Sequence, residues 1–247
     1  MNEELQLKNR FTELSERSYS RGCYTYTEFL TLAEQDILTK TLPQNRYTLY
    51  GGIRDAQRKI ACFGNEDICG YEEAPPVSIV KIAPVSMRFA DNLTHRDFLG
   101  SLMGLGIRRE VLGDIITDEN TAYLFCLESI CAYITENLTQ VKHTTVKCTV
   151  ETELPEICIT EPEAQEFVVA SERCDAIVAA AYSLSRSNSQ KLFSQKLVFI
   201  NSSLCENPEA LLKAEDIVSV RGYGRFIYKG IKLQTKKGKN RILVAVY

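Results

Sequence analysis

One stretch in the last third of the chain combines short hydroxyl side chains with basic ones. It reads SLSRSNSQKLFSQKLVFIN, from Ser183 to Asn201, and its pattern predicts a short helix followed by an apolar strand. Ser185 can cap the helix, and a helix N-terminus attracts phosphate through its free N–H groups and its dipole. Arg186 can add a planar fork for phosphate. The stretch therefore predicts phosphate-backbone binding, and the alternative is an ordinary core helix with a solvated polar face.

Two groups of side chains are candidates for such contacts. The main group consists of Arg173, Ser185, Arg186, Ser187, Gln190, Lys191, Lys196, Asn201, Arg221 and Arg225. The secondary group consists of Arg54, Arg58, Lys59, His95 and Arg96. The first three of these lie beside Gly51-Gly52, a pair that predicts a tight turn rather than a phosphate cradle.

The charge distribution supports the position of the main group. From Ser171 onward the chain has 13 Lys and Arg against 6 Asp and Glu, whereas the first 170 residues have 16 against 26. A basic C-terminal part on an acidic body is typical of proteins that bind nucleic acid or another anionic surface. A merely solvated basic face is the alternative.

Composition argues against several other classes of protein. No apolar run approaches the roughly 18 residues of a membrane span, and the start MNEELQLKNR does not resemble a signal peptide. We therefore expect a cytoplasmic protein. Nine cysteines without a C-x-x-C pair, and only two histidines, predict reduced thiols and no metal site or cofactor.

His95 is the one residue that suggests catalysis, because Arg96 and Asp97 follow it. Its position at the start of a capped helix gives it a structural explanation, and no nucleophile with a paired base lies nearby in the sequence. We therefore predict no catalytic residue and no enzyme activity.

The elements that position these residues predict an α+β chain. Residues 1–74 predict a helical and small α+β region, with Leu5, Leu7, Phe11 and Leu14 on one helix side and a capping box from Thr31 to Glu34. Residues 75–152 predict strand–helix–strand–strand–helix–strand, a ferredoxin-like domain similar in outline to RNA-recognition domains. Its sheet lacks the interleaved basic and aromatic residues of a single-strand reader.

Within that domain the helix after Val77–Pro84 is the best defined. Thr94 and Asp97 form a second capping box, and the helix is predicted to bury a stripe of apolar residues. That stripe consists of Phe98, Leu99, Leu102 and Met103. Residues 153–170 are acidic and contain proline, which predicts a linker or an edge strand.

Residues 171–247 predict two short helices packed on a small curled sheet. Ser171 is predicted to cap the first helix, and Leu192 and Phe193 to be buried in the second. This packing would bring the basic residues of the main group within reach of one surface.

This last region resembles the small RNA-binding fold of ribosomal protein S-four. Its pattern of R-x-D, S-R-x-x-A, x-K-V-x-V-N and G-D-x-I-x-V is matched at Arg173-Cys174-Asp175, Ser185-Arg186, Lys196–Asn201 and Asp216–Val220. Ser189 stands for the usual Ala. Gln195 stands for the Gly of the helix-to-strand turn and Glu215 for the Gly before the Asp, although a residue with a Cβ disfavours a left-handed conformation.

The blocks YGGIRDAQRK, LTHRDFLGSLMGLGIRREVLGDI and VRGYGRF…TKKGKNRI occur in the order seen in the YlmH family of S-four-domain proteins, which the chain resembles over most of its length. The resemblance implies a bacterial, non-enzymatic factor that contacts large-subunit ribosomal RNA and tRNA or peptidyl-tRNA during quality control of stalled nascent chains. We expect a monomer. The alternatives are an RNA-modifying enzyme, of the pseudouridine synthase or methyltransferase type, and a scaffold whose acidic body binds a protein.

Overall fold

The chain folds into two compact units, Met1–Thr160 and Glu161–Tyr247, in a computed structural model that describes residues 3–234 and 238–247. Both units combine helices with antiparallel sheets, which confirms the predicted α+β class. The boundary between the units lies inside the predicted linker at 153–170.

The first part of unit one contains three helices and a three-stranded sheet. They are α1 (Glu3–Arg21), β1 (Thr25–Tyr26), α2 (Leu32–Thr41), β2 (Thr48–Tyr50), β3 (Ile60–Phe63) and α3 (Glu66–Cys69), with strand order β1-β3-β2. The capping box at α2 is confirmed, because the Thr31 backbone N–H donates to the Glu34 carboxylate over 2.7 Å. Phe11 and Leu14 are buried as predicted and Leu7 is partly buried, whereas Leu5 is exposed because, nine residues before Leu14, it lies on the opposite side of α1.

Gly51 and Gly52 lie in the loop after β2, just before a turn closed by the hydrogen bond from the Ala56 N–H to the Ile53 carbonyl, and their backbone packs against its neighbours. A Cβ on Gly51 would lie 2.3 Å from the Ala56 Cβ. A Cβ on Gly52, which has φ +87°, would lie 2.2 Å from the Phe125 ring. Close packing and the positive φ therefore explain this glycine pair.

The remainder of unit one is built on a five-stranded sheet. Its elements are β4 (Val77–Pro84), α4 (His95–Gly104), β5 (Leu112–Asp118), β6 (Thr121–Leu127), α5 (Glu128–Asn137), β7 (Gln140–Val141), β8 (Thr144–Glu151) and α6 (Glu156–Ile159). The strand order is β5-β6-β4-β8-β7. Three 3₁₀ helices, at Gln44–Arg46, Met87–Phe89 and Arg109–Val111, complete the unit.

Both faces of this sheet contact other elements. Phe98 and Leu102 of α4 are buried in the core between the helices and the sheet, and Leu99 is partly buried there. The prediction for Met103 is wrong, because it lies at the edge of the apolar stripe near the end of α4 and is exposed. On the other face, Phe29 and Ile60 pack with Phe125, so the N-terminal part covers that side of the sheet around Phe125.

Unit two packs two helices on a six-stranded sheet. Its elements are β9 (Ala164–Val169), α7 (Cys174–Ala181), α8 (Arg186–Ser194), β10 (Val198–Ile200), β11 (Ser203–Leu204), β12 (Asp216–Val220), β13 (Gly224–Gln234) and β14 (Asn240–Val246). The strand order is β11-β10-β12-β13-β14-β9, so β9 is an edge strand. Leu192 and Phe193 are buried as predicted. The prediction for Ser171 is wrong, because α7 begins at Cys174 and its N-cap position is Arg173.

The nine cysteines are free thiols, and burial raises the pKa of Cys148 to about 11, which keeps it protonated at neutral pH. In residues 3–234 and 238–247 no group of three or more His, Cys, Asp and Glu could hold a metal ion. Nor does this part of the chain contain a helix both long enough and apolar enough to cross a bilayer.

Candidate nucleic-acid interface

The buried carboxylate of Asp175 organises the surface of unit two around α8. Arg173 donates to it from Nε over 3.2 Å and from Nη2 over 3.1 Å. Arg186 donates from Nε over 3.0 Å and from Nη2 over 3.2 Å, and Gln190 donates from Nε2 over 3.0 Å. The Asp175 carboxylate on α7 thus accepts from two guanidinium groups and one amide. Arg186 and Gln190, which supply one guanidinium group and the amide, belong to α8.

The electrostatics of this cluster favour a charged Asp175. Burial raises the pKa of the carboxyl group, but the hydrogen bonds from Arg173, Gln190 and Arg186 outweigh burial and hold the pKa below its ordinary value. The carboxylate is fully buried, whereas the side chain of Arg186 is 45% exposed and that of Arg173 is 28% exposed. Asp175 therefore holds each guanidinium from the inner side, and almost half of the Arg186 side chain remains accessible to solvent.

Two serines explain how α8 is held in place. Ser185 caps the helix as predicted, because its hydroxyl accepts from the Asn188 N–H over 3.2 Å. The buried Ser189 hydroxyl donates to the Asp175 carbonyl over 2.7 Å, which joins α8 to α7. This bond gives a physical reason for a serine where the S-four pattern has alanine. Ser187 is exposed, and its hydroxyl lies 3.1 Å from that of Ser185.

The turn after α8 differs from the expectation for Gln195. Gln195 has φ −83°, and the left-handed residue is Lys196 with φ +59°. The turn therefore needs its unusual backbone one residue later than the sequence comparison placed it. Lys196 is exposed, and its ammonium lies 3.2 Å from the Glu206 carboxylate. Glu215 also has a positive φ, +71°, at the position where the pattern has glycine.

Three other residues of the main group have contacts inside unit two. The Asn201 amide donates to the Asp216 carboxylate over 2.8 Å, and its carbonyl oxygen accepts from the Ile217 N–H over 3.0 Å, so Asn201 joins β10 to β12. Arg225 is buried, with its guanidinium 4.0 Å from the Tyr247 ring centroid. Arg221 is exposed, with its guanidinium 5.9 Å from the Phe199 ring centroid.

The exposed side chains that remain define a basic surface, which we call the α8 surface: Ser185, Arg186, Ser187, Lys191 and Lys196. Lys191 is exposed and forms no ion pair within the described ranges. Sequence reasoning missed two features here. Asp175 was noticed only as part of a motif, and the exposed Tyr223, whose ring packs 5.5 Å from that of Tyr182, was not considered.

The secondary group lies in unit one, where Arg58 and His95 share Arg109 and Asp114 as neighbours. The Arg58 guanidinium donates to the carbonyls of Phe29 and Leu112, both over 2.9 Å, and burial lowers its pKa. Arg58 therefore has an internal role. Lys59 is partly buried next to Leu30, and its backbone pairs with that residue. Arg54 is exposed.

His95 and Arg96 begin α4 and are exposed. The capping box before them is confirmed, since the Thr94 N–H donates to the Asp97 carboxylate over 2.8 Å. Asp97 also accepts from the Lys142 ammonium over 2.8 Å, which holds the carboxylate on the helix start. Those hydrogen bonds lower the pKa of Asp97 to about 2.

Comparisons with known proteins show what the chain as a whole is similar to. Residues 72–154 match a family model described as "Putative RNA-binding domain in YlmH". The chain is 32% identical over 223 residues to "Ribosome-associated protein quality control protein P2" of Bacillus subtilis (strain 168). The aligned region covers 87% of this chain and 84% of that protein. "Cell division protein ylmH from Streptococcus pneumoniae" has a similar fold, with a TM-score of 0.50 and 14% identity over 61% of this chain and 92% of that chain.

The class of protein is thus a mixed α+β chain that carries a domain related to an RNA-binding family model. More narrowly, the 32% identity with the Bacillus subtilis relative over most of both sequences shows the family. The chain belongs to the YlmH family.

Proposed function

We propose that this chain is a non-enzymatic RNA-binding factor of the large ribosomal subunit, which contacts ribosomal RNA and tRNA or peptidyl-tRNA during quality control of stalled nascent chains. The name of the Bacillus subtilis relative supports the quality-control role, and the family model at 72–154 supports RNA binding. We further propose a cytoplasmic, monomeric protein that binds RNA through the α8 surface.

The observation that carries this proposal is the pair of guanidinium groups held by the buried Asp175. Structured RNA is recognised mainly through its shape, phosphates and 2′-hydroxyl groups. Arg186 presents a fixed guanidinium beside the capped N-terminus of α8, and Lys191 and Lys196 add point charges on exposed positions. A rigid basic helix start of this kind fits a phosphate backbone and needs no base-specific contact.

The finer fold assignments belong to the same proposal. In unit one the strand order β5-β6-β4-β8, with α4 and α5 between the strands in sequence, supports a ferredoxin-like domain at 75–152 preceded by a separate region at 1–74. In unit two the short pair α7 and α8 packed on an antiparallel sheet supports an S-four-type domain at 171–247. Edge strand β9 suggests that this domain begins earlier, near 164.

The alternative of an RNA-modifying enzyme is less well supported. A methyltransferase with a doubly wound cofactor domain needs a parallel sheet. All the strand pairings in residues 3–234 and 238–247 are antiparallel. A modified nucleotide that disappears when this protein is deleted, as detected by mass spectrometry of ribosomal RNA and tRNA, would favour the enzyme.

The test of the proposal is binding to purified large ribosomal subunits over a series of salt concentrations. Replacing Arg186 and Lys191 by alanine should weaken co-sedimentation and reduce the salt slope by about one to two, because each phosphate contact releases counterions. The matched control replaces Lys8 and Arg17 of α1 by alanine, which removes the same charge from side chains that are 41% and 44% exposed and that form ion pairs with Glu4 and Glu13. Equal binding and equal slopes for the two double variants would contradict the proposal.

A further inference from the structure

A short segment after β4, far in sequence from the α8 surface, exposes three apolar side chains to solvent. Val85 is 67% exposed, Met87 52% and Phe89 78%. We call this segment the Val85–Phe89 loop. Large apolar side chains so close together and so exposed are costly in water, and they mark interaction sites more often than isolated surface residues do.

The backbone of this loop is well anchored, so its exposure is a built feature of the fold. The Val85 N–H donates to the Thr145 carbonyl over 3.0 Å, which extends the pairing of β4 with β8. The middle of the loop is the 3₁₀ helix Met87–Phe89. After it, the Asp91 N–H donates to the Thr144 hydroxyl over 2.8 Å. The loop therefore presents its side chains from a rigid frame on β8.

The charges around the loop favour an anionic partner. The Arg88 guanidinium lies 5.5 Å from the Phe89 ring centroid, which is within range of a cation–π contact. Arg88, and Arg96 seven residues after Phe89 at the start of α4, form no ion pair in the described part of the chain. The neighbouring acidic groups are engaged, because Asp91 accepts from the His143 N–H over 3.0 Å and Asp97 from Lys142 over 2.8 Å. Asp91 keeps its negative charge, because the His143 N–H and the Thr144 hydroxyl are neutral donors, so Arg88 and Arg96 outnumber one carboxylate that has no ion pair in the described ranges.

We propose that the Val85–Phe89 loop is a stacking platform for an unpaired nucleobase of RNA. This inference deepens the proposed function and rests on the chain being an RNA-binding protein. Unstacked bases are recognised by aromatic rings and guanidinium planes, and Phe89 with Arg88 offers both at one exposed position. Met87 and Val85 provide apolar surface for the edge of the base, and Arg88 and Arg96 attract the adjoining phosphates.

RNA and an apolar protein groove differ in the side chain that they require at position 89. A nucleobase needs a flat ring to stack on, whereas an apolar protein groove accepts an aliphatic side chain of similar size. Phe89→Trp should therefore retain binding, and Phe89→Leu should lose most of it. Since Phe89 is largely exposed, neither change should disturb folding, which thermal denaturation of each variant will check.

The experiment uses the full chain and two probes. The first is a single-stranded RNA of about ten nucleotides that contains 2-aminopurine, whose fluorescence is quenched when the base stacks. The second is purified large ribosomal subunits. We expect wild type and Phe89→Trp to quench the fluorescence, and Phe89→Leu to bind the oligonucleotide about tenfold or more weakly with little quenching.

Two results would overturn the inference. One is equal binding and quenching by wild type and Phe89→Leu. The other is loss of subunit binding by Phe89→Ala but not by Phe89→Leu, which would assign the loop to an apolar protein groove. If subunit binding depends on Arg186 and Lys191 but is insensitive to Phe89, and the oligonucleotide shows no dependence on the ring, only the inference fails. If wild type binds neither probe, the proposed function fails as well.

Discussion

The buried carboxylate of Asp175 allows a prediction in which charge and geometry have opposite signs. Asp175→Asn removes one negative charge next to Arg173 and Arg186, so simple electrostatics predicts tighter binding to RNA. The geometry predicts the reverse, because the asparagine NH₂ group would face donors instead of accepting from them. The asparagine keeps one oxygen as an acceptor, but whichever oxygen becomes NH₂, Arg173 and Arg186 each lose one of their two hydrogen bonds, so the cluster no longer holds the Arg186 guanidinium at two points.

The stability change follows from burial and exposure. Removing one partner of a fully buried ion pair costs about 3–5 kcal/mol. Here only the carboxylate is fully buried, and both guanidinium groups can turn to water, so we expect about 2–3 kcal/mol, as for charge-assisted hydrogen bonds. Unit two has the size of a small domain, for which this loss lowers the melting temperature by about 8–24 °C.

The assay combines denaturation with binding to large ribosomal subunits at a temperature where circular dichroism shows the variant to be folded. Asp175→Asn should lower the unfolding midpoint and also weaken binding despite the added positive charge. The matched control is Glu209→Gln, which removes the exposed partner of Arg173 and should cost at most about 0.5 kcal/mol. If the two variants have the same unfolding midpoint, or if Asp175→Asn binds more tightly than wild type, the positioning role of Asp175 is refuted.

Two further predictions concern single residues of known geometry. Lys196→Gly should leave the unfolding free energy unchanged or raise it by up to about 1 kcal/mol, because glycine adopts the left-handed backbone conformation without strain. The salt slope of RNA binding should fall by about one, because one positive charge is lost. A clear loss of stability in urea denaturation would contradict this prediction. Asp97→Asn should destabilise unit one at pH 7, because hydrogen bonds from Lys142 and Thr94 lower the folded pKa of Asp97 and so stabilise the fold while the carboxylate is charged. Protonation removes that contribution, so the difference in stability between the variant and wild type should vanish as the pH falls from about 4 to about 2. A difference in melting temperature that does not change with pH would refute the assigned pKa.

Local signals in the sequence were enough for the helix starts. The boxes at Thr31 and Thr94 and the cap at Ser185 depend on residues within one helical turn, and all three are confirmed. The prediction for Ser171 was wrong because a serine before an apolar run does not by itself fix where a helix begins: α7 begins at Cys174, with Arg173 at its N-cap position.

The organisation of the site could not be read from the sequence in the same way. Arg186 and Gln190 reach Asp175 from 11 and 15 residues away, so their shared acceptor emerges only when α8 packs on α7. The position of the left-handed turn residue also escaped prediction, because Lys196 has a Cβ and carries no glycine signal. The exposure of Phe89 depends on which other residues pack around the loop in the folded unit, and the local sequence does not show this.

The central claim is that the α8 surface meets RNA on the large ribosomal subunit. Ultraviolet crosslinking of the full chain to large subunits, followed by sequencing of the attached RNA and mass spectrometry of the attached peptides, tests it most directly. We predict crosslinks from peptides within Ser183–Asn201 to large-subunit ribosomal RNA or tRNA, which Arg186→Ala with Lys191→Ala reduces and Lys8→Ala with Arg17→Ala does not. Crosslinks confined to other segments, or unchanged by the first pair of substitutions, would contradict the claim.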